Sequence, residues 1–452
     1  MSLSVAARDL VRRNLSPPSR LAGRLGVQSL LYALGEGTFM TGSAVFFTQI
    51  VGLQAKQIGL GLTIAGVAAF AAAWPSGRLV DRFGPKRLWA LSAVVQAALF
   101  ATWPFIHSFP GYIAMAVAME VVGGVGGAAY GAYSLDVLPP NDRVKGRAFS
   151  YSALNLGFTL GAVLGGIALA FHNLDVLRAV PLVTAGLFLV NAAAILRLPR
   201  APHDLASPDE RRVPVPGPGP LRNPGWLAAT FFIGVLWTNQ VLLNVVIPLW
   251  LVERTDAPRW LLAFLFGTNT VMCIVLPMAA SRGVRDVGTA LRAIRRSSVF
   301  FVGSCLITLI THDTIGWVTI ALVWLGHVTV TGAELFLSAA SWTFEAELMD
   351  PRQRGAYQGA SELSGTLGRV WAPAVYTFLA MEWGQVGWLI IAAIGLGAAA
   401  ALHPSAKLAR RFVEGHVPAE ALAAAAAHAP TEEELAQLGP LEAVETTEPL
   451  RP

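Results

Sequence analysis

Four carboxylates stand inside long apolar runs of this chain: Glu36, Glu120, Glu334 and Glu362. A charge in hydrocarbon costs a few kcal/mol or more, so each must face protein or water. Burial raises a carboxyl pKa toward neutrality, which lets the group load and release a proton in the physiological range. Glu334 sits in the series His327, Thr331, Glu334, Ser338, Ser341, spaced i, i+4, i+7, i+11, i+14 along one helix face. That polar stripe is expected to line a central cavity, which makes Glu334 the first choice for a proton site. Glu36, roughly 18 Å along a helix from Arg24, is the second. Glu120 is the third; it shares a face with Ala116, Gly124 and Gly127 and is expected to point at a close-packed neighbour.

A second group of residues suits recognition of a solute. Trp237, Gln240 and Asn244 form one stripe with Asn239 beside it, and Asn155, Asn269, His327 and Arg369 lie in other apolar runs. Amides and aromatics around a cavity fit a partly apolar ligand with a few polar groups, although hydrogen bonds between helices would account for any of them singly. Arg369, two turns beyond Glu362, requires a carboxylate partner. Catalytic chemistry is not in view. No HExxH, CxxC or GxSxG occurs, and Cys273 and Cys305 both lie within apolar runs. An enzyme, a metal site, a disulfide framework and a bound cofactor are therefore not expected.

The elements that position these residues are membrane helices. Charged residues make up 13% of the 452, about half the soluble share, and apolar residues 54%. Twelve apolar runs are read at 24–50, 57–78, 87–108, 111–136, 148–171, 177–197, 226–251, 259–280, 297–312, 315–341, 356–380 and 385–402; all but the short ninth and twelfth, which extend at either end, are long enough as bounded to cross ~30 Å of hydrocarbon. Runs of this length exclude a transmembrane barrel. The fold class is thus an all-α polytopic membrane protein. Basic residues gather in the even-to-odd loops, including Arg78, Arg82, Lys86, Arg87, Arg143, Lys145, Arg147, Arg282, Arg285, Arg352 and Arg354. The positive-inside rule then places both termini in the cytoplasm of a bacterial inner membrane. With a net charge of +5 distributed this way, the basic residues orient the chain in lipid and do not bind nucleic acid.

Between runs six and seven, prolines at 199, 202, 208, 214, 216, 218, 220 and 224 predict a semi-extended linker. The expected division is a cytoplasmic N-terminal segment 1–22, a six-helix bundle 23–198, the linker 199–224, a second bundle 225–402, and a largely disordered acidic tail 403–452. Loop-plus-helix segments after runs four and ten echo each other: NDRVKGRAFSYSALNLGFTLGAVLGG and DPRQRGAYQGASELSGTLGRVWAP. A parallel repeat of two halves is a known transporter plan.

One loop carries a sharper signal. GRLVDRFGPKR, residues 77–87, joins two uncharged runs on the basic side. Its Gly77, Asp81, Arg82, Gly84, Lys86 and Arg87 resemble the signature loop of the major facilitator superfamily, a conformational gating element. An anion there is stabilised near a helix N-terminus, expected to be that of run eleven near Gly355. Gly157, Gly161, Gly165 and Gly166 in NLGFTLGAVLGG resemble the GxxxGPxxGG packing element of proton-driven exporters, with Ala162 where that motif has proline. Where the drug–proton antiporter branch carries arginine, this chain has Glu120. The loop SRGVRDVG, residues 281–288, is a degenerate repeat of the signature.

The resemblance spans about 380 residues, Gly23 to Leu402. It implies two pseudo-symmetric six-helix bundles and a monomeric secondary transporter. Its partners would be protons, lipid and a hydrophobic or amphipathic small molecule, which it would export by alternating access. An uptake symporter or facilitator of a polar metabolite is the alternative in transport, and a transport-dead membrane sensor the alternative from another class.

Overall fold

A computed structural model describes residues 14–205, 215 and 217–427. Ser207 and the segment 428–452, half of the expected disordered tail, lie outside the described residues, as does the start of the N-terminal segment. The N-terminal half comprises α1 (Arg20–Gln49), α2 (Ala55–Phe83), α3 (Pro85–Thr102), α4 (Phe109–Val137), α5 (Pro140–Ala170) and α6 (Leu174–Leu196). In the C-terminal half come α7 (Pro224–Arg254), α8 (Leu261–Val275), α9 (Val287–Ile310) and α10 (Trp317–Leu348). They are followed by α11 (Arg354–Arg369, resuming at Ala372–Glu382), α12 (Gly384–His416) and a short α13 (Ala419–Ala427). Among the described residues no strand occurs. Nine of these helices are long and apolar enough to cross a membrane by length and composition, and α8 is a shorter apolar helix.

Local chemistry sets most helix starts. Ser19 accepts from the Ala22 amide at 3.3 Å to open α1, and Ser108 from Gly111 at 3.3 Å to open α4. Asn223 accepts from Trp226 at 2.9 Å, with Pro224 in the first turn of α7. Each cap satisfies an otherwise orphaned donor and stabilises its helix by about 1 kcal/mol. Between α2 and α3 the chain reverses through Gly84 at φ +94°, a left-handed backbone that favours glycine.

Three helices depart from the expected runs. In α7 the α-helix stops at Leu236, and after one turn a π-helical stretch spans Leu242–Val246. α11 breaks after Arg369 because Pro373 cannot donate to the Arg369 carbonyl and its ring crowds that group. α12 does not stop at 402. It carries Pro404 and the basic SAKLARRF segment onward to His416. The linker also begins as structure: Tyr133 donates to the Pro199 carbonyl at 2.8 Å, and Asp204 accepts from the Lys86 and Ala201 amides, both at 3.2 Å. Burial pushes the Asp204 carboxyl above the usual carboxylate range.

Glycines bring α5 against α1. A Cβ on Gly157, Gly161 or Gly165 would lie 2.4–2.5 Å from the carbonyl oxygens of Leu30, Leu34 or Thr38. Gly166 has open space around it and plays no part in this contact. The second half repeats the arrangement in α11 and α7, where Gly368 meets the Phe231 carbonyl and Gly365 meets Gly234. We expect Gly161→Val to lower the detergent-solubilised melting temperature by several degrees, because two backbones must part to admit the side chain. A melting curve identical to wild type would contradict this packing.

Candidate functional site

The two halves meet towards the face that carries the basic loops, and the central contact there is built by the signature loop. Gln353, before α11, supplies no side-chain cap. The cap comes instead from the other half of the protein: Asp81 of α2 accepts from the Gly355 amide at 2.7 Å and from the Ala356 amide at 2.8 Å. Glycine permits the approach. A Cβ on Gly77 would fall 2.1 Å from the Gly355 carbonyl oxygen, and one on Gly355 would fall 2.7 Å from Asp81 Oδ1. The loop cations do not pair with Asp81. Arg82 lies over Phe83, and Lys86 donates to the Leu196 carbonyl at 3.0 Å and to that of Leu198. Arg87 is exposed.

Further bonds reinforce this closure. Arg354 pairs with Asp136 of α4, and Arg147 of α5 pairs with Glu345 of α10 at 2.7 Å. Gln358 donates to the same Glu345 oxygen at 3.1 Å. Arg282 donates to Asn14 Oδ1 at 2.6 Å, and Arg143 to the Ala425 carbonyl of α13 at 2.8 Å. Asp286, in the degenerate repeat loop, caps its own helix at Thr289 and not the opposite half. The deepest bond between the halves joins the Tyr151 hydroxyl of α5 to Glu334 Oε1 of α10 at 2.5 Å. Among the described residues, no hydrogen bond or ion pair links the halves on the far side of that pair. The polar bonds that join the halves are therefore confined to the basic face and the seam.

The space between them is a cavity of about 800 Å³. Met40, Phe70, Met119 and Phe158 supply apolar wall, and Glu36, Glu120 and Glu362 stand in it together with Gln96, Gln358 and Thr366. Glu362 forms an ion pair with Arg369, as the spacing requires. Neither Glu36 nor Glu120 has an ion-pair or hydrogen-bond partner among the described residues. A lobe of about 150 Å³ shares Gln358 and Glu362 with the cavity and is lined by Trp237 and Arg369. Another, of about 460 Å³, is lined by Asn155, Phe158 and Thr270.

Several expected site residues stand elsewhere. Glu120 does not face a packed neighbour; the small residues around it leave space, and it is exposed to the cavity. Glu334 does not line that cavity. It is 4% exposed, held at the seam by Tyr151, by Asn269 Nδ2 at 3.5 Å and by Cys273 Sγ at 3.7 Å. Asn269 also donates to Thr331 at 3.0 Å, so it too belongs to the seam. His327 is fully buried, edge-on to Phe266. Asn239 is buried inside the second half, and Asn244 bonds back to the Gln240 carbonyl at 2.9 Å. None of these amides lines the cavity of about 800 Å³ or the two lobes beside it. Tyr32, Gln96 and Gln358 do line that cavity; they are polar side chains within apolar stretches, the same signal that marked the amides of α7.

Residues 25–373 match the family model described as Major Facilitator Superfamily. The chain is 24% identical over 361 residues to the tetracycline resistance protein, class C, of Escherichia coli, covering 76% of this chain and 85% of that one. It is 26% identical over 216 residues to the multidrug resistance protein MdtG of Klebsiella pneumoniae (strain 342), a match spanning 46% of this chain and only half the length of that relative. Among solved structures, a bacterial homologue of the iron transporter ferroportin in an outward-facing state superposes with a TM-score of 0.64 at 13% identity, over 88% of this chain and all of that one. With two six-helix halves, a central cavity between them and a family match over most of its length, the chain belongs to the major facilitator superfamily and is a multi-pass membrane transporter, not an enzyme.

Proposed function

We propose that this protein exports cationic amphipathic molecules from the bacterial cytoplasm in exchange for protons. The observation that carries this reading is the pair Glu36 and Glu120, two acids without partners in a cavity walled by methionine and phenylalanine. A cation with an apolar body satisfies both features at once. Protons compete with it for the same carboxylates, so binding one displaces the other and exchange follows. Rocking of the halves about the seam then carries the load across. The drug-resistance names of the sequence relatives support this direction. In this reading the basic face is cytoplasmic, so the bonds across it close the described conformation to the cytoplasm.

The test is flux into proteoliposomes that are acidic inside, with the membrane potential clamped at zero and radiolabelled tetraphenylphosphonium as the probe. Wild type should accumulate the cation, while Glu36→Gln/Glu120→Gln should show at least tenfold less gradient-driven uptake. Equal accumulation by the double variant would remove these acids from the mechanism.

Orientation has its own test. In a background lacking Cys273 and Cys305, a cysteine at Ser207 should resist an impermeant thiol reagent in intact cells, and one at Asp313 should react. Labelling at 207 from outside would reverse the topology.

A further inference from the structure

Within the N-terminal half a second cavity of about 130 Å³ lies between α1, α3, α4 and α6. It adjoins the central cavity through Tyr32 and Gln96, which line both. Its polar lining includes three amides, Gln28, Gln96 and Asn191, exposed by 4%, 5% and 1%, beside Ser29, Ser92 and the polar edges of Tyr32, Tyr130 and Trp89. Gln28 Nε2 donates to Asn191 Oδ1 at 3.1 Å, and Gln96 Nε2 donates to the Ser92 carbonyl at 3.3 Å. This leaves Asn191 Nδ2 among the donors and Gln96 Oε1 among the acceptors without a protein partner. Neither atom is sealed off from the cavity, so a group entering it can reach both. Trp89 and Tyr130, with ring centroids 5.2 Å apart, form the aromatic wall. No charged side chain lines the space.

We infer that this side pocket is a specificity site for a neutral, planar group that both donates and accepts a hydrogen bond, such as a primary amide or amino-heterocycle on an aromatic ring. Three properties select that class. The volume is close to that of an engineered cavity of ~150 Å³ that holds benzene. The aromatic wall favours a flat ring. A free donor and a free acceptor open onto the space, so a group that carries both meets them, and a ring lacking both leaves them unpaired. An extended molecule could then place this ring in the side pocket and its cationic portion against Glu36 and Glu120. The inference rests on the central cavity being the transport site, but the pocket can be tested without transport.

The probe is 4-fluorobenzamide, followed by ligand-detected fluorine NMR on purified protein in lipid nanodiscs, with empty nanodiscs as the reference. Wild type should bind it at least tenfold more tightly than fluorobenzene, once partitioning into lipid is subtracted. Gln96→Leu removes the free acceptor at the loss of only a bond within its own helix, and should weaken binding about tenfold. Leu154→Trp, which fills the pocket from α5, should abolish it. Glu36→Gln/Glu120→Gln should leave it unchanged, because the pocket carries no charge. If the benzamide fails to bind wild type, or binds Leu154→Trp equally well, the space only holds water and the inference fails. Benzamide binding with this pattern, in a protein that does not move tetraphenylphosphonium, would uphold the pocket and overturn the export reading alone.

Discussion

Asp81→Asn is expected to assemble normally and to transport about tenfold more slowly than wild type. In the native protein both carboxylate oxygens accept from the first amides of α11, at 2.7 and 2.8 Å. Asparagine is as good a cap as aspartate for one amide, but its NH₂ group faces the second amide donor to donor. The negative charge at the positive end of the helix is lost as well, a term of about 1–2 kcal/mol in a partly buried setting. A loss of that size moves the balance between the two conformations about tenfold away from closure at the basic face. Asp81→Ala removes both bonds and should move it further. Gly77→Val reaches the same end by another route, because its side chain would collide with the Gly355 carbonyl and force the halves apart. Initial rates of tetraphenylphosphonium exchange in vesicles, normalised to folded protein, measure the effect. Wild-type rates in both Asp81 variants would show that the contact is not part of the cycle.

The loop itself was legible in the sequence because its signature is local: an acid at a fixed distance from two glycines, between two apolar runs; its partner at the start of run eleven, more than 270 residues on, came only from the resemblance to the major facilitator superfamily. The long helices were legible for a similar reason, since hydrophobicity is read residue by residue. The breaks in α7 and α11 were less so. Pro373 announces its own break, but the π-helical stretch at Leu242–Val246 has no proline or glycine within it and depends on packing around it. The end of α12 was misplaced because hydropathy falls after Leu402 while the helix continues out of the apolar layer to His416.

Side-chain direction was the harder question. A polar stripe on α10 shows that one face avoids lipid, yet it does not say which of several neighbours the face meets. Glu334 therefore looked like a cavity residue and lies at the seam. Glu120 looked packed because glycines surround it, and those glycines leave open space: a Cβ on Gly124 or Gly127 would meet nothing within 4 Å. Small residues serve close packing and cavity walls equally well, and only the partner helix distinguishes the two.

The position of Glu334 gives the other large expected effect. Its carboxylate is buried, and its donors are the Tyr151 hydroxyl at 2.5 Å, the Asn269 amide and the Cys273 thiol. Of these only Tyr151 comes from the opposite half. Tyr151→Phe leaves the carboxylate buried and short of its strongest donor, which costs about 1–3 kcal/mol or more for a charged group. Opening of the basic face relieves that cost by admitting water to Glu334. The population should accordingly shift ten- to a hundredfold toward that open state. Glu334→Gln should shift it less, because the amide oxygen still accepts from the Tyr151 hydroxyl and no charge is buried. Once Gln is in place, adding Tyr151→Phe should cost little more than a neutral hydrogen bond. Cys273 reports the change directly: it is 1% exposed beside Glu334, whereas Cys305 is buried within the core of the second half. N-ethylmaleimide should modify Cys273 at least tenfold faster in Tyr151→Phe than in wild type, with Cys305 unreactive in both. Equal Cys273 rates in a folded Tyr151→Phe protein would mean that the seam opens without this bond as its latch.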